Sequence, residues 1–105
     1  AMTKDQQTEA EAAAFRSLIA HLQQRSDVQN IDLMNLAGFC RNCLSKWYSA
    51  EVRKVDPDFD YADAQKYVYG MTNEEWKRDF QTEASEEQKR RFEESKPNHA
   101  KISGY

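Results

Sequence analysis

The scarcity of turn-forming residues most constrains what this chain can fold into. Only three glycines and two prolines occur among its 105 residues, which leaves little material for the tight turns that join β-strands. No segment alternates apolar and polar side chains over the length of a strand, whereas apolar residues recur at helical spacing. We therefore predict an all-α fold: a compact bundle of about five helices that forms a single domain over residues 1–105.

The composition narrows the class of protein. Apolar residues make up 39% and charged residues 31% of the chain, with a formal net charge of -3, which is typical of soluble domains. Apolar stretches are far shorter than the roughly 20 residues that cross a bilayer, and no signal region is visible. Basic residues are scattered apart from residues 89–91, so we expect no nucleic-acid partner. The sequence predicts a cytoplasmic protein without a membrane partner.

The clearest helical patterns lie in the first half of the chain. A first helix is predicted over residues 4–25, with residues 1–8 frayed because they carry almost no large apolar side chain. A second helix is predicted over residues 32–55, with an aspartate as its N-cap. Its apolar stripe carries Cys40, and Cys43 lies at the margin of that stripe. This pattern predicts a continuous central helix that holds the Cys-x-x-Cys pair.

Capping residues mark the shorter helices that follow. Asp60 can cap a helix that Gly70 ends, because glycine readily adopts the left-handed conformation that closes a helix. Capping boxes at residues 72–75 and 85–88 begin two further helices. Residues 96–105 form a C-terminal tail that is either loose or folded back onto the bundle.

One face of the predicted central helix carries small or amide side chains. These residues are Asn35, Gly38, Asn42 and Ser45. A glycine inside a helix costs about 1 kcal/mol relative to alanine, so close approach of another helix is one explanation for Gly38. A tolerated surface glycine is the other. We interpret the row as an interaction face, and we expect it to join two copies of the chain in a homodimer.

Two segments resemble a known bacterial family. They are residues 34–48, Met-Asn-Leu-Ala-Gly-Phe-Cys-Arg-Asn-Cys-Leu-Ser-Lys-Trp-Tyr, and residues 69–77, Tyr-Gly-Met-Thr-Asn-Glu-Glu-Trp-Lys. Both are similar to the domain-of-unknown-function family numbered 1244, and together they cover about a quarter of the chain. The resemblance implies a small helical protein of the cytoplasm. It implies no reaction, substrate or catalytic residue.

The two cysteines are the one chemical lead, and three interpretations stay open. Cys40 and Cys43 can be core residues, since free cysteines are often buried. They can be ligands of zinc or iron, completed by His99 with an acid or water, or by a second pair in a dimer. They can also be a redox couple, which needs a lowered thiol pKa, as at a helix N-terminus. A helix break at Gly38 would create a new first turn there and favour the redox interpretation.

No pattern indicates an enzyme, because a phosphate-binding glycine loop, a nucleophile elbow and a Ser-His-Asp order are all missing. The sequence therefore predicts first a protein-interaction or regulatory module, expected to be a homodimer. The alternative is a metal-binding or thiol-redox protein that uses Cys40 and Cys43. Replacing both cysteines by serine separates the two functions, since only a metal-binding or thiol-redox protein would lose a bound metal or a reversible oxidation.

Overall fold

The chain folds into helices alone, as the scarcity of turn-forming residues predicts. The computed structural model describes all 105 residues, with six α-helices, two short 3-10 helices and no strand. None of these helices is both long enough and apolar enough to span a membrane. The α-helices are α1 (Lys4–Gln24), α2 (Asn30–Ala37), α3 (Arg41–Val52), α4 (Tyr61–Tyr69), α5 (Asn73–Asp79) and α6 (Glu86–Ser95). The 3-10 helices are Lys96–Asn98 and Lys101–Ser103.

The predicted capping residues of the second half are confirmed. The Asp60 side chain accepts a hydrogen bond from the backbone of Ala62 at the start of α4, and Gly70 ends that helix with a φ of 74°. Capping boxes begin α5 at residues 72–75 and α6 at residues 85–88. These starts depend only on neighbouring residues, which is why the sequence reveals them.

The main core lies where α3 packs against α4, with α1 and α5 closing its sides. Its members are large apolar side chains that are almost completely buried: Ile19, Leu22, Leu44, Val68, Tyr69 and Trp76. Burial of one such side chain stabilises the fold by about 1.5–3 kcal/mol. In this core α4 contacts α1, α3 and α5.

The predicted continuous central helix is wrong, because the structure divides it into α2 and α3. α2 ends at Ala37, and Gly38 follows with a left-handed φ of 75°. The C-terminal tail packs against this break: the backbone N–H of Ala100 donates to the Gly38 carbonyl at 2.7 Å. A Cβ at position 38 would also collide with the backbone carbonyl of Asn98. The tail therefore leaves room only for glycine at this position.

Two helix starts also differ from the sequence interpretation. Asp32 is not the N-cap of α2 but its third residue, and its carboxylate accepts from the backbone N–H of Gln29, the true N-cap, at 3.0 Å. α1 is helical from Lys4, where Thr3 and Gln6 form a capping box. The first helix therefore extends into the segment that we expected to fray.

The C-terminal tail folds back and covers the cysteines. Lys46 Nζ donates to the Ser103 carbonyl at 2.7 Å, which ties the tail to α3. The ring of Tyr105 meets that of Phe92 edge-on, with centroids 5.7 Å apart. A second apolar cluster lies beneath these residues, and the side chains of Phe92 and Ile102 pack against its members, Met34, Cys40 and Cys43. The tail therefore completes the surroundings of the thiol pair.

Candidate functional site

Both cysteines lie at the start of α3, as a direct consequence of the break at Gly38. Cys40 is the N-cap of α3 and Cys43 is its third residue. The Cys40 side chain makes no capping hydrogen bond, and the two thiols lie in one helical turn, close enough for the Cys43 thiol to affect the pKa of Cys40. Both are free thiols, with residue exposures of 5% and 1% respectively. The new first turn at the pair, which favours the redox interpretation, is present, but the lowered thiol pKa that this interpretation expected is not.

Opposing influences act on the Cys40 thiol. Burial raises the pKa of Cys40 most strongly, and the Cys43 thiol raises it further, while the backbone N–H groups of Cys43 and Asn42 lower it. The net result is a pKa above the ordinary value of a thiol. Cys40 is therefore protonated at neutral pH and reacts as a nucleophile only after it has lost that proton.

Cys40 lines a cleft, whereas the more deeply buried Cys43 does not. This thiol cleft has a volume of about 250 Å³. It is bordered mainly by apolar side chains: Asn30, Ile31, Met34, Cys40, Asn42, Phe92 and Tyr105. A larger polar cleft of about 430 Å³ adjoins it, and the two share Asn30, Ile31, Asn42 and Tyr105. The two clefts together form one groove with an apolar part and a polar part.

A chain of hydrogen bonds leads from the protein interior to this groove. Arg41 Nη1 donates to Asn30 Oδ1 at 3.0 Å, and Asn30 Nδ2 donates to the Tyr69 hydroxyl at 3.0 Å. The Tyr69 hydroxyl then donates to Asn42 Oδ1 at 2.6 Å. Burial raises the pKa of Tyr69 well above its ordinary value, so that hydroxyl keeps its proton and remains a donor.

Arg41 is a residue of the site that pattern analysis missed. Its side chain is fully buried, with the guanidinium 4.3 Å from the centroid of the Trp76 ring. It donates to the backbone carbonyls of Leu22, Arg25 and Val28, each at 2.9 Å. The carbonyls of Leu22 and Arg25 lie at the C-terminal end of α1, where a cation is favourable. Pattern analysis assigns arginine to the surface, so no signal in the sequence distinguishes this buried one.

The three predicted metal ligands are not brought together. The ring of His99 is buried, with Nε2 2.7 Å from Ser95 Oγ and its centroid 4.9 Å from that of Phe92. No group of three or more His, Cys, Asp and Glu residues is arranged to hold a metal ion. Cys40, Cys43 and His99 form no such group within one chain, and a metal site completed by a second cysteine pair in a dimer stays a prediction.

The four residues of the predicted interaction row do not share one helical face. Asn35 belongs to α2 and donates to the Gln88 carbonyl of α6 at 3.0 Å. Ser45 belongs to α3, is fully buried, and donates to its own helix. Asn42 borders the groove, and the close approach at Gly38 comes from this chain's own tail. A homodimer built on this row stays a prediction.

Comparison with known proteins supports the resemblance noted in the sequence. Residues 28–94 match the model of a family described as "Protein of unknown function (DUF1244)". The matched region contains the Cys-x-x-Cys pair and the hydrogen-bonded chain from Arg41 to Asn42, but not the tail. A comparison with curated proteins finds no match.

Proposed function

The chain belongs to the DUF1244 family of proteins of unknown function, and from its geometry we propose that it acts in thiol–disulfide exchange through Cys40 and Cys43. One observation carries the proposal. The end of α2 at Gly38 puts both thiols in the first turn of α3, with Cys40 toward a cleft. We place this activity in the cytoplasm, where thiols are kept reduced between reactions.

The different positions of the two thiols give them different roles. Cys40 loses its proton, and its sulfur attacks one sulfur of a substrate disulfide, whose S–S bond breaks to release a thiolate. Cys43 then loses its proton and attacks Cys40, which forms the Cys40–Cys43 disulfide and releases the second thiolate. The substrate disulfide gains two electrons and the dithiol loses two. Cys40 is the attacking thiol because it borders the cleft, and Cys43 resolves the mixed disulfide.

The raised pKa of Cys40 sets the direction of this exchange. A pair whose thiolate is strongly stabilised is held reduced and acts as an oxidant. Here burial disfavours the Cys40 thiolate, so that thiol is a poor leaving group once it is part of a disulfide. The raised pKa of Cys40 therefore favours the pair as a reductant, and the reaction is faster as the pH rises.

Mass spectrometry of protein equilibrated with oxidised and reduced glutathione tests the proposal. Wild-type protein should form an internal disulfide that dithiothreitol reverses. Cys43→Ser should stop at a mixed disulfide on Cys40, because the resolving thiol is gone. Cys40→Ser should react much more slowly, because the remaining thiol does not line the cleft. If both wild-type thiols stay free at every glutathione ratio, the proposal is wrong.

A second candidate function, protein interaction, is favoured by the exposure of α1. The first half of this helix, residues 4–14, is exposed except at the half-buried Ala12, and the molecule is elongated, at 49 × 29 × 27 Å. Helical segments this short are marginal in water without packing. A second copy of the chain that covered this segment would stabilise it, so the expected assembly is a homodimer.

Sedimentation equilibrium over a range of concentrations tests the homodimer. Ala13→Glu should weaken a dimer, because it places a charge on the exposed part of α1. Ala50→Glu, the same change at an exposed position of α3, is the matched control and should have no effect. Wild-type protein that stays monomeric at the highest concentration would contradict this second candidate.

A further inference from the structure

One hydrogen-bond donor in the groove has no partner within the chain. Asn42 Oδ1 accepts from the Tyr69 hydroxyl at 2.6 Å and from Gln65 Nε2 at 3.3 Å. Arg41 can only donate, which orients the Asn30 amide, and the Tyr69 hydroxyl that accepts from Asn30 is thereby left to donate to Asn42 Oδ1. Asn42 Nδ2 donates to no protein atom, and it is not among the buried unpartnered atoms. Since Asn42 borders both clefts, its amide is available to a molecule in the groove.

The free N–H of Asn42 lies at the end of a series of hydrogen bonds that all donate in the same direction. Arg41 donates to Asn30, Asn30 to Tyr69, and Tyr69 to Asn42. Each hydrogen bond in such a chain polarises the next one, and the first member is a buried cation. The N–H of Asn42 is therefore a better donor than an isolated amide, and its natural partner is an acceptor oxygen.

The lining of the groove indicates which molecule carries that oxygen. No charged side chain borders the thiol cleft, and its largely apolar wall suits the methylene and sulfur atoms of a cystine. The polar cleft continues from it and carries one cation, Lys77, and one anion, Glu83. This balance of charge favours an uncharged ligand over an acidic or a basic one.

We propose that the substrate of Cys40 is a cystine within an extended, uncharged peptide segment, and that Asn42 Nδ2 donates to a backbone carbonyl beside the reacting sulfur. The inference rests on the proposed thiol–disulfide exchange and names its substrate class. Asn42 acts as a specificity-determining residue, because a disulfide without a neighbouring carbonyl gains nothing from it. The apolar part of the groove holds the half-cystine side chain, and the polar part holds the peptide that follows.

Reaction rates with two disulfides test this assignment. One is an end-capped, uncharged peptide cystine, and the other is diethyl disulfide, which has no carbonyl. The readout is the ratio of the two second-order rate constants for reaction with reduced protein. Any change in the reactivity of the Cys40 thiolate affects both reactions and cancels in this ratio. The wild-type ratio should exceed the ratio that a free cysteine derivative gives with the same two disulfides.

Asn42→Asp is the sharpest variant, because it keeps the oxygen that Tyr69 and Gln65 contact but replaces the free N–H donor by an acceptor. The ratio should fall roughly tenfold, the effect expected of one lost hydrogen bond. Asn73→Asp introduces the same charge at the first residue of α5, outside the groove, and should leave the ratio unchanged. Tyr69→Phe interrupts the hydrogen-bonded chain, keeps the ring, and should lower the ratio by a smaller factor.

The outcomes separate the inference from the function on which it rests. If Cys40 reacts with both disulfides but wild-type protein shows no preference for the peptide, the substrate assignment is overturned and the exchange activity stands. The same holds if Asn42→Asp leaves the ratio unchanged. If neither disulfide reacts, the exchange activity itself is overturned. Should Asn42→Asp fail to fold, as judged by circular dichroism, the ratio for Tyr69→Phe decides.

Discussion

At the scale of single residues, Cys40 shows how its surroundings set the chemistry of a thiol. A helix N-terminus ordinarily lowers a thiol pKa, but here burial outweighs the backbone N–H groups and raises it. The folded protein therefore holds the Cys40 proton to higher pH than the unfolded chain does. Whenever the folded state binds more protons than the unfolded state, stability decreases as the pH rises.

This imbalance predicts a pH dependence of stability. The contribution of Cys40 should be complete below the ordinary thiol pKa of about 8.5 and should be lost progressively above it. Urea denaturation of reduced protein between neutral and alkaline pH measures the effect. Cys40→Ser should lose stability less steeply over the alkaline range, whereas the buried tyrosines affect both proteins alike. Parallel curves for the two proteins would contradict the assigned pKa shift.

Arg41 contributes at the same scale through its hydrogen bonds. Its guanidinium serves three backbone carbonyls and Asn30 at once, a geometry that an ammonium group cannot reproduce. Arg41→Lys should therefore lower the free energy of unfolding by about 3 kcal/mol, because buried acceptors lose their donors. Urea denaturation measures this loss. The exposed Arg78→Lys serves as the control, and an equal effect of both variants would show that Arg41 has no special role.

At the scale of elements, Gly38 decides where the thiols lie. Gly38→Ala should destabilise the protein by about 2–3 kcal/mol, because a Cβ is strained in the left-handed conformation and also meets the Asn98 carbonyl. Gly104→Ala is a matched control, since Gly104 has a similar φ of 79° but open space around its Cα. It should cost only the strain of about 1 kcal/mol. If Gly38→Ala and Gly104→Ala lose the same stability in thermal or urea denaturation, the collision with the tail is ruled out.

The sequence predicts those elements whose causes are local. The all-α fold, the helix that Asp60 begins and Gly70 ends, and the two capping boxes were all inferred correctly, because each depends on residues within one or two turns. The contacts made at the Gly38 break come from Asn98 and Ala100, far along the chain. Helical periodicity continues through the break without interruption, so the pattern alone predicts one helix.

The candidate site was predicted only in part, for the same reason. The spacing of Cys40 and Cys43 identified the pair, and the consequence of a break between α2 and α3 was foreseen. Arg41 and Asn42 were not assigned their roles, because these depend on partners from α1, α2 and α4. His99 contacts Ser95 and Phe92, and no spacing rule reveals those contacts.

At the scale of the whole molecule, the C-terminal tail covers one side of the thiol cluster. Both thiols and Asn42 lie within the residues that match the family, 28–94, whereas the covering residues His99 to Tyr105 lie outside them. Ile102 packs against the thiol cluster and Tyr105 borders the cleft. Few apolar side chains hold this cover in place, so it should open locally more often than the core of α3 and α4 unfolds.

This arrangement predicts that weakening the tail exposes the thiols without unfolding the bundle. Ile102→Ala removes part of a half-buried side chain from the cluster. The free energy of local opening should fall by about 1.4 kcal/mol, so iodoacetamide should alkylate the cysteines about tenfold faster. Mass spectrometry of the alkylated peptides at constant pH measures the rate. Leu36→Ala, at a side chain that is 86% exposed, should leave it unchanged. An unchanged alkylation rate in Ile102→Ala would contradict opening of the tail. The thiols would then react either from the cleft side, past Tyr105, or only after global unfolding. The urea midpoint of the same variant separates those two routes.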